Sequence, residues 1–151
     1  MSGTISKDFA FALVGEDALG VVLRCHIEIE HKLGEFLEAS LPAPQRLGEL
    51  SFAMHIRLAL GCGLRRTLDA PLKALNKLRN EFAHESGKVL TSNDVERFYE
   101  AFADDDRAAA DYGHLGQHER PINQRAPRER LVIYCLVLWE AIDGEVRLRR
   151  K

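Results

Sequence analysis

Residues 127–146 read PRERLVIYCLVLWEAIDGEV and contain the longest apolar run of the chain, from Leu131 to Trp139. The run is much shorter than the roughly 20 apolar residues that a membrane-spanning helix needs, so we expect no membrane segment. Nor does it alternate between apolar and polar residues as a half-buried strand does. Pro127 suits the first turn of a helix. We therefore predict a helix over residues 127–146 that is apolar on every side and lies at the centre of a bundle or between two subunits.

The rest of the chain also carries its apolar residues at helical spacing, and no stretch shows the alternation of a strand. Glycines or prolines stand where these helices are expected to end. The predicted helices before the apolar run cover residues 7–14, 17–39, 47–60 and 69–85. Asp69 is the predicted N-cap of the last of them, with Pro71 in its first turn. The expected fold class is all-α, a single helical bundle of about five to six helices that spans residues 1–151 as one domain.

A capping box predicts one more short helix. Thr91 and Asp94 have the required spacing, in which each side chain hydrogen-bonds the other residue's backbone N–H. The apolar residues that follow share one helical face: Val95, Phe98, Tyr99 and Phe102. Residues 104–126 are polar and contain two glycines and a proline, so we predict a long polar loop there, part of which can be helical.

The charge balance limits the classes of function. The 21 Lys and Arg residues face 23 Asp and Glu residues, which gives a net charge of -2 and no broad positive field for nucleic acid. We do not expect direct DNA binding. The basic residues at the C-terminus are interpreted as solvated charges that favour the end of a helix: Arg147, Arg149, Arg150 and Lys151. The N-terminus has no basic start followed by a long apolar stretch, so the expected location is cytoplasmic.

A helix-turn-helix over residues 47–66, with Arg57, Arg65 and Arg66 as DNA contacts, does not fit the pattern well. Its second helix would lack the exposed polar face that reads bases. Gly61 and Gly63 also indicate the end of a helix better than the start of a recognition helix.

The cysteines indicate neither a disulfide framework nor a structural zinc site. Cys25, Cys62 and Cys135 are odd in number and far apart. We interpret them as core residues with inert thiols.

Two histidine pairings have metal-ligand spacing. His114 and His118 would share a helix face, but a glycine lies between them and no third ligand can be named. His26 and Glu30 are also four residues apart and would need His84 as a third ligand. An internal hydrogen bond is the commoner arrangement for such residues in a bundle. We predict no metal and no cofactor.

Two charged residues fall on faces that are otherwise apolar. At about 100° per residue, Arg79 lies within the apolar face of the helix over residues 69–85, and Glu30 lies near the middle of the apolar face of the helix over residues 17–39, beside His26. A buried charge without a partner costs about 3 to 5 kcal/mol. We therefore predict an ion pair between Glu30 and Arg79 that joins the two helices.

Beside Arg79, three polar residues at intervals of four form a continuous line on the same helix: Asn76, Asn80 and His84. Two interpretations remain open at this point. In the first, Asn80 and His84 cap helix ends or hold a loop while Arg79 serves stability only. In the second, the group forms a polar pocket in which His84 transfers protons and Arg79 stabilises a negative charge.

The hexapeptide from Arg79 to His84, RNEFAH, resembles the Arg-x4-His motif of the HEPN superfamily of helical proteins, including the polar residue after the arginine. The longer stretch LGELSFAMHIRLALGCGLRRTLDAPLKALNKLRNEFAH is similar to the core of the mannitol operon repressor family, and residues 17–103 follow the order of elements in that core. The resemblance implies an all-helical bundle that dimerises and takes part in transcriptional control without a recognised DNA-binding element.

The ribonuclease branch of the same superfamily implies a different function, metal-independent RNA cleavage by two motifs that face each other across a dimer. In that case His84 would be the general acid or base, Arg79 would stabilise the anion and Asn80 would orient the backbone. An Arg79 neutralised by Glu30 would be a poor phosphate ligand. The leading hypothesis is therefore a non-enzymatic regulator that binds protein partners as a homodimer, and the alternative is a HEPN-type ribonuclease or RNA-binding toxin module.

Overall fold

The computed structural model describes residues 17–112 and 124–151, and within them it confirms an all-α helical bundle with no strand. Six α-helices follow one another in these residues: α1 (Ala18–Ser40), α2 (Phe52–Gly61), α3 (Asp69–His84), α4 (Ser92–Ala101), α5 (Asp104–Tyr112) and α6 (Pro127–Arg149). Two short 3-10 turns, Pro44–Leu47 and Arg66–Leu68, precede α2 and α3. The helix predicted for residues 7–14 lies outside the described residues.

The central pair of the bundle is α1 and α6, which share the most extensive helix contact. Lys32 on α1 lies beside Asp143 on α6, and Phe36 lies beneath Arg149, so residue numbers rise together along the two helices and they run in the same direction. The remaining described helices pack around this pair, with α2 and α3 against α1, and α4 and α5 against α6.

The apolar run from Leu131 to Trp139 lies in α6, and all of Arg130 to Trp139 except Val132 is buried. Helix α6 begins at Pro127 as expected and continues to Arg149. Phe98 and Phe102, on the apolar face after the capping box, are only 2% and 3% exposed. These apolar side chains of α6 and α4 are thus covered by this chain's own helices.

Helix α2 begins later than predicted, at Phe52 instead of residue 47. Ser51 is its N-cap, and the Ser51 hydroxyl accepts a hydrogen bond from the Met54 N–H at 3.2 Å. A serine cap satisfies a backbone donor that has no partner inside the helix, which fixes the start of α2 at this residue.

The predicted N-cap role of Asp69 is also corrected. Asp69 is the first residue of α3, and Leu68 precedes it without a side-chain cap. The 3-10 turn Arg66–Leu68 leads directly into α3, and the Asp69 N–H bonds the Arg66 carbonyl. The Asp69 carboxylate instead accepts a hydrogen bond from the Lys73 ammonium, one turn further along α3, at 3.0 Å.

The capping box before α4 is formed by both of its hydrogen bonds, from the Thr91 N–H to Asp94 at 2.9 Å and from the Asp94 N–H to Thr91 at 3.1 Å. The segment predicted as a polar loop, part of which could be helical, starts with helix α5. Its three aspartates, residues 104–106, lie in the first turn, where negative charge favours the helix dipole, and its alanines favour the helical backbone. Residues 113–123 lie outside the described residues.

No described helix is both long enough and apolar enough to cross a membrane.

Candidate functional site on the third helix

The C-terminal half of α3 carries the group that the sequence singled out. Asn76 and Arg79 are half-buried, whereas Asn80 and His84 are exposed. The helix ends at His84, and Gly87 then turns the chain with a positive φ of 74° that a residue with a side chain rarely adopts. The group therefore lies at a helix end on the surface of the bundle.

The ion pair predicted between Glu30 and Arg79 is absent from the structure. The Arg79 guanidinium donates to Asn80 Oδ1 at 3.4 Å, at the surface, and no described carboxylate lies within ion-pair distance of it. Glu30 is 37% exposed and lies 3.8 Å from His26 Nδ1. The helical projection placed Glu30 and His26 on one face, but it did not show that His26 occupies the buried centre while Glu30 reaches the rim.

His26 forms the polar link between α1 and α3 that the sequence pattern assigned to Glu30 and Arg79. Its Nε2–H donates to Asn76 Oδ1 at 3.3 Å, and its ring lies over Phe52 of α2 with 4.0 Å between the ring centroids. Burial lowers the pKa of His26, an effect that Arg79 reinforces and that the Asn76 hydrogen bond and the Glu30 charge oppose in part. The imidazole is therefore neutral at pH 7.

A network that sequence reasoning missed holds the end of α3 to α4. The Lys88 ammonium lies 3.2 Å from Asp94 and 3.5 Å from Glu81, and Arg97 also contacts Asp94. Burial opposes the charge on Lys88, but the two carboxylates outweigh it and raise the Lys88 pKa above its usual value. The capping-box spacing in the sequence identified Asp94. It gave no sign of the two cations that bind Asp94, Lys88 and Arg97.

A second network joins α4, α5 and α6. Arg130, which is buried, donates to Glu96 at 2.8 Å and to the Tyr134 hydroxyl at 3.1 Å. The Tyr99 hydroxyl donates to Asp111 at 2.7 Å, and burial together with this carboxylate raises the pKa of Tyr99 to about 12. Because Glu96 already neutralises Arg130, we interpret this network as a tie between helices.

Within residues 17–112 and 124–151, no three histidine, cysteine or carboxylate side chains converge in a way that could hold a metal ion. The exposed His84 does not join His26 and Glu30. His114 and His118 lie outside the described residues. Cys25 and Cys135 are fully buried, as expected of core thiols, whereas Cys62 is half-buried at the end of α2.

Four cavities of about 470 to 530 Å³ among the described residues are lined by residues of α1, α2 and α6, by the turns around α2 and α3, and by Asp69 at the start of α3. None of these four contains Arg79, Asn80 or His84. Nor do residues 47–66 form a helix-turn-helix, because α2 is the one α-helix in that range.

Comparison of the chain with models of known protein families, with curated proteins and with solved structures finds no match. The likeness of RNEFAH and its preceding helices to the mannitol operon repressor core therefore rests on the sequence motif alone.

Proposed function

We propose that this protein is a cytoplasmic regulatory module, resembling the mannitol operon repressors, that influences transcription through protein contacts without touching DNA directly. The observation that carries the proposal is the position of His84. The ring is exposed, no described side chain orients it, and it lines none of the four cavities described above. A general acid or base normally needs a ring held in place beside a substrate pocket. The net charge of -2 also argues against a nucleic-acid surface.

The test is the set of transcripts that change when the gene is deleted in its host. We expect a small, defined set to change, and we expect both the wild-type protein and His84→Ala to restore it. The purified protein should not retard duplex DNA at about 0.15 M salt, where contacts that rely on charge alone are weak. An unchanged set of transcripts would contradict the proposal.

The proposed assembly is a homodimer, as the resemblance implies. Light scattering of the purified protein should give about twice the 17.0 kDa of one chain. A strict monomer at high concentration would count against this assembly. It would also count against the second candidate below, which needs two motifs that face each other.

The second candidate is a metal-independent ribonuclease, and the state of Arg79 favours it. Without a carboxylate partner, the guanidinium next to Asn80 retains a full positive charge for a phosphate. In this reaction His84 would remove the proton of a 2'-hydroxyl, whose oxygen then attacks the adjacent phosphorus as the bond to the 5'-oxygen breaks. Arg79 would stabilise the pentacovalent anion, and the His84 imidazolium formed in the first step would return its proton to the departing 5'-oxygen.

Single-stranded RNA incubated with the purified protein in excess EDTA separates the two candidates. Cleavage that persists in EDTA and disappears in both His84→Ala and Arg79→Ala would establish the ribonuclease. His55→Ala is the matched control, because His55 lies on α2 and is not part of the motif. Intact RNA under these conditions, with growth unaffected by expression of the wild type, would exclude the ribonuclease.

A further inference from the structure

The outer face of α1 carries a groove, which we name the Gly34 groove. It joins two adjacent cavities of about 500 and 530 Å³ that share three residues, Gly34, Glu38 and His55. Ile27 and Glu30 line it at one end, and Leu47 and Leu50 of the turn before α2 line it at the other. From Ile27 to Glu38 it follows α1 for about 16 Å, the length of roughly three helical turns.

The floor of the groove is bare backbone. Gly34 lies in the interior of a 23-residue helix, where glycine is less favourable than alanine. A Cβ built on Gly34 would meet nothing within 4 Å, so the fold of the described residues does not require a glycine here. A helix surface without a side chain lets another helix approach more closely than the usual separation of axes.

The walls of the groove combine an excess of negative charge with apolar surface. Glu38 is exposed and has no ion-pair partner among the described residues. Glu30 faces His26, which is neutral at pH 7 and leaves the carboxylate charge in place. Arg150 is the one Lys or Arg among the described lining residues. Ile27 is 60% exposed and adds apolar surface at one end of the groove.

We propose that the Gly34 groove binds a cationic amphipathic α-helix of a partner protein. Lysines or arginines of that helix pair with Glu30 and Glu38, and a face of small and apolar residues lies on Gly34 between Ile27 and the leucines of the turn. Because the walls are negatively charged, the partner must carry positive charge. Because the floor has no side chain, a helix can lie directly against it. This inference rests on the proposed function, since it names the kind of protein that a regulator of this class would bind.

The test uses purified full-length protein and a labelled synthetic peptide of about 14 residues, with lysine, alanine and leucine in amphipathic helical order. A peptide with glutamate in place of lysine is the charge control. We expect saturable binding of the lysine peptide by fluorescence anisotropy and none of the glutamate peptide. Absence of binding by the wild type, or equal binding of both peptides, would overturn the proposal.

The decisive variant is Gly34→Leu, which fills the floor. Because its Cβ meets no neighbour and a helix interior favours leucine over glycine, the variant should fold at least as stably as the wild type. Gly144→Leu is the matched control, since Gly144 also lies inside a long helix, has no atom within 4 Å of the position a Cβ would occupy and lines a separate cavity on α6. We expect Gly34→Leu to weaken peptide binding about tenfold or more and Gly144→Leu to change it less than about twofold, a difference of the size that loss of a close contact produces.

If Gly34→Leu and Gly144→Leu bound the lysine peptide with equal affinity, the binding would be explained by nonspecific attraction to an acidic surface. That result would overturn the proposal. Conversion of a wild-type dimer into a monomer by Gly34→Leu would overturn it as well, because the occupant would then be a second copy of this chain. The transcript test remains independent of both results. If transcripts depend on the protein but the peptide does not bind, the regulator stands and the groove fails. If the peptide binds in the groove but no transcript changes, the groove stands and the regulator fails.

Discussion

The His26 imidazole is buried where α1, α2 and α3 meet, with Asn76 on one ring nitrogen, Glu30 near the other and Phe52 against its face. A charged imidazole would lose its hydration there and would meet the Arg79 charge as well. The residue therefore contributes to stability as a neutral hydrogen-bond donor, which makes the junction sensitive to acid.

The pH dependence of unfolding tests this assignment. The pKa of His26 is lower in the folded protein than its ordinary value of 6.5, so between these two values the unfolded chain binds the proton more readily. The stabilising contribution is complete above pH 6.5 and is lost as the pH falls through that value toward the folded pKa. In urea titrations at successive pH values, His26→Gln should lose less stability below pH 6.5 than the wild type does. His31→Gln is the control, because His31 faces Glu35 at the same spacing but is 72% exposed; a wild-type slope in His26→Gln would refute the assignment.

We expect the three cysteines to differ in reactivity, because burial also disfavours the charged form of a thiol. Burial raises the pKa of the Cys135 thiol well above its usual range, and the adjacent Cys25 thiol raises it further. Since the thiolate is the reactive form, we expect an aromatic disulfide reagent to modify Cys62 first and to reach Cys25 and Cys135 only when the protein unfolds. Cys62→Ser should abolish the fast phase at native conditions. A fast phase that survives in Cys62→Ser would show that the core thiols are accessible.

At the scale of elements, the C-terminal turn of α6 is joined to the end of α2 through Arg149. Its guanidinium donates to the Gly63 carbonyl at 2.9 Å and to the Cys62 carbonyl at 3.4 Å, and it lies 4.2 Å from the Phe36 ring centroid. Carbonyls at the end of a helix lack partners within the helix, so the arginine from α6 satisfies them. The prediction that all the basic residues at the C-terminus are solvated is therefore wrong for Arg149.

Arg149→Ala removes these contacts together. We expect it to lower the free energy of unfolding by about 1 to 2 kcal/mol, the range for hydrogen bonds from a charged group together with a cation–aromatic contact. The exposed neighbour provides the control, and Arg150→Ala should change stability by less than about 0.5 kcal/mol. Equal effects of the two substitutions in urea titrations would show that the link to α2 contributes nothing.

At the scale of the whole molecule, the described residues share one core around α1 and α6. The single tryptophan, Trp139, is 2% exposed in the middle of α6. The Lys32 ammonium lies 4.3 Å from the centroid of its ring and also pairs with Asp143. Fluorescence of Trp139 therefore reports on the central pair, whereas helical circular dichroism reports on every helix.

Because all described helices pack on this one core, we expect both signals to follow the same cooperative transition in urea. Val95→Ala, which alters a fully buried contact in α4, should shift both midpoints together toward lower urea. A loss of helical signal before the change in fluorescence would show that some of the outer helices unfold separately from the central pair.

The helical class, the capping box and the central position of the 127–146 segment follow from the sequence, because apolar spacing, prolines, glycines and caps act over a few neighbouring residues. The start of α2 at Phe52, after the Ser51 cap, and helix α5 were harder to predict, since a single serine cap or a short polar helix produces little periodicity in the sequence. The tertiary structure alone decided which groups meet across helices. A helical projection gives the direction in which Glu30, His26 and Arg79 point from the axis of their own helix. It does not give the distance between α1 and α3 or the rotation of each helix about its axis. The way α1 and α3 pack places Asn76 opposite His26 and leaves the Arg79 guanidinium at the surface.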